Sequence, residues 1–154
     1  ELYRTVISKI LTIWLQDAET FDDCDDPADA LSRYIRAKME NSLNYPLGSK
    51  IWAREIMQGA PRIQDFLDKT LKSWTASRIK IINRWISEGK IDPVEPNYLL
   101  YMIWATTQHY ADFEHQINSL NGGRRLSDEQ FEEALQTVTR TILRGIGLTE
   151  RTTD

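Results

Sequence analysis

The chain has little that would mark an enzyme, a membrane protein or a disulfide-built fold. One cysteine in 154 residues cannot form an internal disulfide, which fits a reducing cytoplasm. No apolar run approaches the ~20 residues that a membrane-spanning helix needs, and no basic-then-apolar leader opens the sequence. Phosphate loops, dinucleotide fingerprints and Gly-x-Ser-x-Gly elbows are missing. Glycines adjoin only at Gly122-Gly123, which fits a turn. A net charge of −4 argues against this chain gripping a nucleic-acid backbone alone. Strand-like alternation is never sustained, and neither an internal repeat nor a low-complexity tract breaks the composition.

What remains is an ordinary soluble balance, 41% hydrophobic and 27% charged, in a length that suits one domain with a real core. Five tryptophans are the oddity. The start, Glu1-Leu2-Tyr3-Arg4, already has helical spacing without a Met or a cap, as in a piece of a longer protein.

The 3.6-residue period predicts six principal helices in an all-α domain spanning residues 1–148, with 149–154 as a loose tail. Leu2, Val6, Ile10 and Ile13 mark the stripe of a first helix running to about Gln16. Asp26 caps a second, Pro27 to about Asn44, whose apolar side holds Leu31, Tyr34, Ile35, Met39 and Leu43. Tyr45-Pro46-Leu47-Gly48-Ser49 reads as a break before a short helix from about Ser49 to Met57. Pro61 opens a long helix to Glu88, on the order of 40 Å at ~1.5 Å per residue, and Gly89 closes it. After the Asp92–Pro96 connector a helix is expected from Pro96 to about Leu120. Ser127 and Gln130 have capping-box spacing for the last helix, which ends near Arg144.

The most informative stretch is Ile103-Trp104-Ala105-Thr106-Thr107-Gln108-His109-Tyr110-Ala111-Asp112-Phe113. Trp104 and Gln108 are four apart, hence stacked on one helical face. An indole can cover the face of a planar ligand while a carboxamide reads an edge of adjacent C=O and N–H groups. A packed tryptophan and a solvated glutamine also satisfy the pattern. His109 and His115, six apart, fail the i, i+4 spacing of zinc ligands on a helix. Cys24 among aspartates lacks the glycine and distal glutamate of a calcium loop, and reads as a solvated segment. Glu55, between Trp52 and Ile56, needs a partner such as Arg54 or Arg78. No carboxylate pair with opposed environments is evident, so no catalytic residue, metal or cofactor is assigned.

That stretch resembles the sensor helix of TetR-family transcriptional repressors, within the pyrimidine-utilisation branch. Three other stretches support it in order: Ile13-Trp14-Leu15; Tyr45-Pro46 with Ser49 and Glu55-Ile56-Met57-Gln58-Gly59-Ala60-Pro61; and Gly89-Lys90-Ile91-Asp92-Pro93. The likeness runs from Glu1 to about Gly145. It implies the effector-binding and dimerising domain of a cytoplasmic repressor. Operator DNA would be bound only through an N-terminal helix-turn-helix outside this sequence, and neither enzyme activity nor a membrane partner is implied. It further implies a pyrimidine such as uracil or thymine held by Trp14, Trp104 and Gln108. Ile51-Trp52-Ala53-Arg54 departs from the family's run, which leaves the pocket's shape there open.

The last two long helices would pair with their twins as a four-helix bundle. Leu99, Ile103, Thr106, Tyr110 and Ile117 form the expected face of one, and Leu135, Val138, Ile142 and Leu143 that of the other. A helical dimerisation or scaffold module without a ligand is the alternative. It predicts no cavity beside Trp104.

Overall fold

The computed structural model describes residues 2–22 and 24–148, and among them every regular element is helical. The helices are α1 Leu2–Asp17, α2 Pro27–Asn44, α3 Pro46–Met57, α4 Gln64–Phe66, α5 Lys72–Ser87, α6 Pro96–Asp112, α7 Glu114–Leu120 and α8 Asp128–Gly145. A 3₁₀ turn, Ala18–Phe21, follows α1, and a π turn, Leu67–Leu71, joins α4 to α5. The predicted tail, 149–154, lies outside the described residues.

α2 is the central element, packing on α6 and α8 and also touching α1 and α3. Its start follows local rules: the Asp26 carboxylate accepts from Ala28 N at 3.1 Å, and Pro27 occupies the first turn, where no N–H is needed. Leu31, Tyr34, Ile35 and Met39 are buried as the spacing predicts, and Lys38 and Ser42 share that face. Ser42 Oγ donates to Thr107 O at 2.8 Å, which satisfies a buried hydroxyl and pins α2 to α6. Ser127 and Gln130 form the predicted capping box. Gly89 (φ +68°) ends α5, where Lys90 N donates to Trp85 O at 2.9 Å.

Several expectations need correction. On α1 the inward face is Ile7 and Leu11, with Tyr3 and Trp14 half-buried against the same cluster, whereas Leu2 is 80% exposed and Val6 and Ile13 are also open. Apolar residues occur on both sides of this helix, so period alone could not choose. Only Ile10 of the predicted stripe is partly covered; its Cγ1 sits 3.4 Å from where a Cβ on Gly48 would be.

α3 begins at Pro46, not Ser49, because a proline is as good at the first helical position as in a break. The long helix starts at Gln64 rather than Pro61 and carries the π turn. The predicted helix to Leu120 is interrupted at Phe113 (φ −113°, ψ 26°).

The proposed pairing faces are partly taken up by the chain itself, while Thr106, Tyr110 and Ile117 stay partly open. Leu99, Ile103, Leu135, Val138, Ile142 and Leu143 all belong to the chain's own main core, with Phe21, Tyr34 and Trp85. They are spent on packing α6 and α8 against α2 within one chain. The open stripe of α6 is instead Tyr98, Met102, Ala105, His109 and Phe113.

Gly147 combines two constraints. Its φ is +81°, and an added Cβ would lie 2.5 Å from Asp92 Oδ2 and 2.7 Å from Asp92 Cγ. Asp92 is held there by its backbone N, which donates to Ile146 O at 2.9 Å. Gly147→Ala should therefore destabilise the domain by about 1–3 kcal/mol, read as a lower urea midpoint. An unchanged midpoint would show that this junction carries no stability.

Candidate functional site

Trp14, Trp104 and Gln108 come together around one cavity. Leu11 and Leu15 of α1, Tyr34 and Lys38 of α2, Trp52 of α3, Leu71 at the end of the π turn and Trp74 of α5 complete its wall. About 60 Å³ is open to water centres, several times the ~10–15 Å³ that one water requires. The void lies where two hydrophobic clusters meet. Leu11, Trp14 and Trp52 belong to the smaller, and Tyr34, Trp74 and Trp104 to the larger.

The aromatic wall is ordered by one hydrogen bond. Trp104 Nε1 donates to Tyr34 Oη at 2.9 Å. Burial pushes the Tyr34 phenol far above its ordinary value, so it stays neutral. With its N–H committed, Trp104 has only ring surface to offer. Trp74 and Tyr101 lie beside it in tilted contacts at 6.2 and 5.8 Å between centroids. Across the cavity Trp14 meets Trp52 edge-on at 5.9 Å.

Three polar groups in this wall have no protein hydrogen-bond partner among the described residues: the Gln108 carboxamide, the Lys38 ammonium and the buried Trp74 Nε1. Lys38 is the unusual one. It is 4% exposed, and its Nζ sits 4.2 Å from the centre of the Trp14 ring. Burial lowers its pKa to about 8, against the opposing pull of Asp17 and Asp112. Those carboxylates have partners of their own. Asn41 donates to Asp17, and Ser49 Oγ donates to Asp112 Oδ1 at 2.6 Å. Asp17 is itself raised, mainly by burial, against the lowering effect of Lys38 and Asn41.

The other candidates resolve simply. His109 is exposed and stacked on Phe113 at 4.9 Å, and His115 is exposed. No group of metal-ligating side chains occurs among the described residues. Cys24, expected in a solvated segment, is half-buried, with Sγ donating to Asp26 O and to Asp29. Glu55 is fully buried and does have a basic partner, but it is Arg62. Glu55 Oε1 accepts from Arg62 N at 2.8 Å, and Oε2 from Arg62 Nη1 at 3.0 Å. Arg78 instead grips Asp22 with both Nη atoms, at 2.9 and 3.1 Å.

Sequence reasoning missed Tyr34, Lys38 and Trp74 as cavity residues, and met Trp52 only as a departure from the family's run that left the pocket's shape open. A signal existed for one of them. Lys38 stands one turn after Tyr34 inside the apolar stripe of α2, where a charge is out of place.

Comparison with known proteins agrees with this helical architecture. The family model for the C-terminal region of YcdC-like proteins, a TetR-class family, matches residues 7–149. The chain belongs to this family, and is thus the C-terminal regulatory region of a TetR-type transcriptional regulator. Among individual relatives, it is 38% identical to the HTH-type transcriptional regulator RutR of Escherichia coli O157:H7 over 145 residues, which is 94% of this chain and 68% of that protein. The RutR proteins of Escherichia coli K12 and Shigella flexneri are each 37% identical over the same shares. These relatives are regulators rather than enzymes.

An unpaired buried ammonium costs stability. Between about pH 8 and the 10.5 of an exposed lysine, the folded chain binds fewer protons than the unfolded chain. The penalty is therefore full below pH 8 and fades as pH rises above it. Lys38→Met, similar in volume, should raise the melting temperature of ligand-free protein at pH 7 by several degrees, corresponding to roughly 1–3 kcal/mol after loss of the Trp14 contact. The gain should shrink toward pH 10. A lower melting temperature at pH 7 would contradict it.

Proposed function

We propose that this domain senses a planar one-ring heterocycle, a pyrimidine such as uracil or thymine, and relays occupancy to the DNA-binding head of a TetR-type repressor in the cytoplasm. The observation that carries this reading is the cavity that gathers Trp14, Trp104 and Gln108 from helices far apart in sequence. Its walls are aromatic, and its unpaired Gln108 carboxamide suits a ring edge of alternating C=O and N–H groups. A scaffold without a ligand predicts no cavity there.

Relay follows from where Trp14 sits. It is on α1, the first helix of the domain, so a ligand touching Trp14 acts on the element nearest the N-terminal side. In a dimer of TetR type the two heads enter successive major grooves ~34–36 Å apart. A ligand that binds one conformer better lowers operator affinity by that difference alone.

Dimerisation is proposed through α6 and α8, on a face that keeps Thr106, Tyr110 and Val138 of the sequence expectation and adds Ala105 and His109. The open stripe of α6 borders a shallow surface groove lined by Ala105, Thr106, His109, Tyr110 and Val138, between α6 and α8. A helix of a second copy fits such a groove and would complete a four-helix arrangement.

Two experiments test these readings. Titration with uracil and thymine should quench or shift tryptophan fluorescence and raise the melting temperature. If neither changes at millimolar base, the pyrimidine reading fails. Ala105→Glu should weaken self-association at least about 100-fold in sedimentation runs while leaving helicity intact, since a charge would be buried unpaired in the pairing face. A dimer as tight as wild type would remove this face from consideration.

A further inference from the structure

We propose that Lys38 selects the effector, its ammonium donating to a ring carbonyl oxygen of the ligand, so that the cavity takes oxo-substituted rings and turns away rings without that oxygen. This rests on the planar-heterocycle reading above and says which atom of such a ring is read, and by what.

The argument starts from which polar groups the cavity leaves unanswered. Gln108 and Lys38 both line it without a protein partner. A carboxamide can rotate to present either its oxygen or its nitrogen, so Gln108 alone cannot enforce one polarity on a ligand. An ammonium has three donors and no acceptor. Lys38 therefore fixes the polarity at its end of the cavity: whatever faces it must accept.

The position is built rather than incidental. Lys38 is 4% exposed and follows Tyr34 by one helical turn on α2. Tyr34 holds Trp104 by a hydrogen bond, and Lys38 rests over the face of Trp14 at 4.2 Å. Trp14 and Trp104 are thus each in contact with one of these two side chains of α2. No carboxylate comes within ion-pair distance of Nζ among the described residues, although a lysine on a surface finds one easily.

Charge decides which kind of oxygen. Asp17 of α1 and Asp112 of α6 both act on Lys38 electrostatically, so one positive charge stands among two negative ones. Asn41 and Ser49 hold these carboxylates, which fixes them as background rather than as partners for Nζ. A ligand carboxylate would add a third negative charge to this group. A neutral carbonyl gains the donor without that repulsion, so the oxygen is a ring carbonyl.

Isothermal titration of the purified protein near pH 7.5 tests this with three rings: uracil, 2-aminopyrimidine (no oxygen) and orotate (a ring carboxylate). Wild type should bind uracil at least about tenfold more tightly than either of the others. Lys38→Met should bring the uracil to 2-aminopyrimidine ratio within threefold, and Lys38→Gln, which keeps a donor, should restore part of it. Circular dichroism checks that each variant is folded. If Lys38→Met is not, the Lys38→Gln ratio must fall below that of wild type.

A variant that weakens both rings equally gives Lys38 a structural role only and overturns the proposal. Orotate bound more tightly than uracil overturns the choice of a neutral oxygen. Tight uracil binding that no Lys38 variant alters removes Lys38 while leaving the pyrimidine reading intact. If wild type binds none of the three rings, both readings fall together.

Discussion

The hydrogen bond from Trp104 Nε1 to Tyr34 Oη is the contact on which the cavity's form depends. It joins α6 to α2 across the main core and satisfies the indole N–H in place. Because that N–H is spent, Trp104 can meet a neighbour only through its ring. The same bond sets what lies one turn further along each helix. Lys38 follows Tyr34 by four residues and Gln108 follows Trp104 by four, so each helix adds one polar group to a largely aromatic wall.

Much of this fold is legible in sequence because its rules are local. Asp26 before Pro27, Ser127 three before Gln130, and Gly89 after Glu88 each act through the nearest turn, and each behaves as expected. Where several local outcomes were equally good, tertiary packing decided. Proline at 46 suits a break and a first helical turn alike. α1 has apolar residues on opposite sides, and only contact with Ala60, Ile63 and Phe66 selects Ile7 and Leu11 as its inner face. The break at Phe113 and the π turn at Leu67–Leu71 have no composition of their own.

The site divides in the same way. Trp104 and Gln108 share a helix, so their common face follows from spacing, and Trp14 was reached through the family resemblance. Trp52, Trp74 and Tyr34 reach the cavity from three other helices, a convergence that no one-dimensional pattern contains. Lys38 differs from these. A lysine in an apolar stripe was visible, but its meaning depended on its neighbours: in the folded chain the Trp14 ring is in contact, and Asp17 and Asp112 act only electrostatically. The faces of α6 and α8 divide in a related way: Leu99, Ile103, Leu135, Ile142 and Leu143 go to the chain's own core, while Thr106, Tyr110 and Ile117 stay partly open.

The π turn has a mechanical consequence. It takes in one residue more than an α turn, so side chains before and after it point to different neighbours. Phe66 and Leu67 lie on the small cluster beneath α1, while Leu71 and Trp74 face the cavity and the main core. A single rod is thus stitched to both cores, and its π turn ends at Leu71, in the wall of the cavity between them.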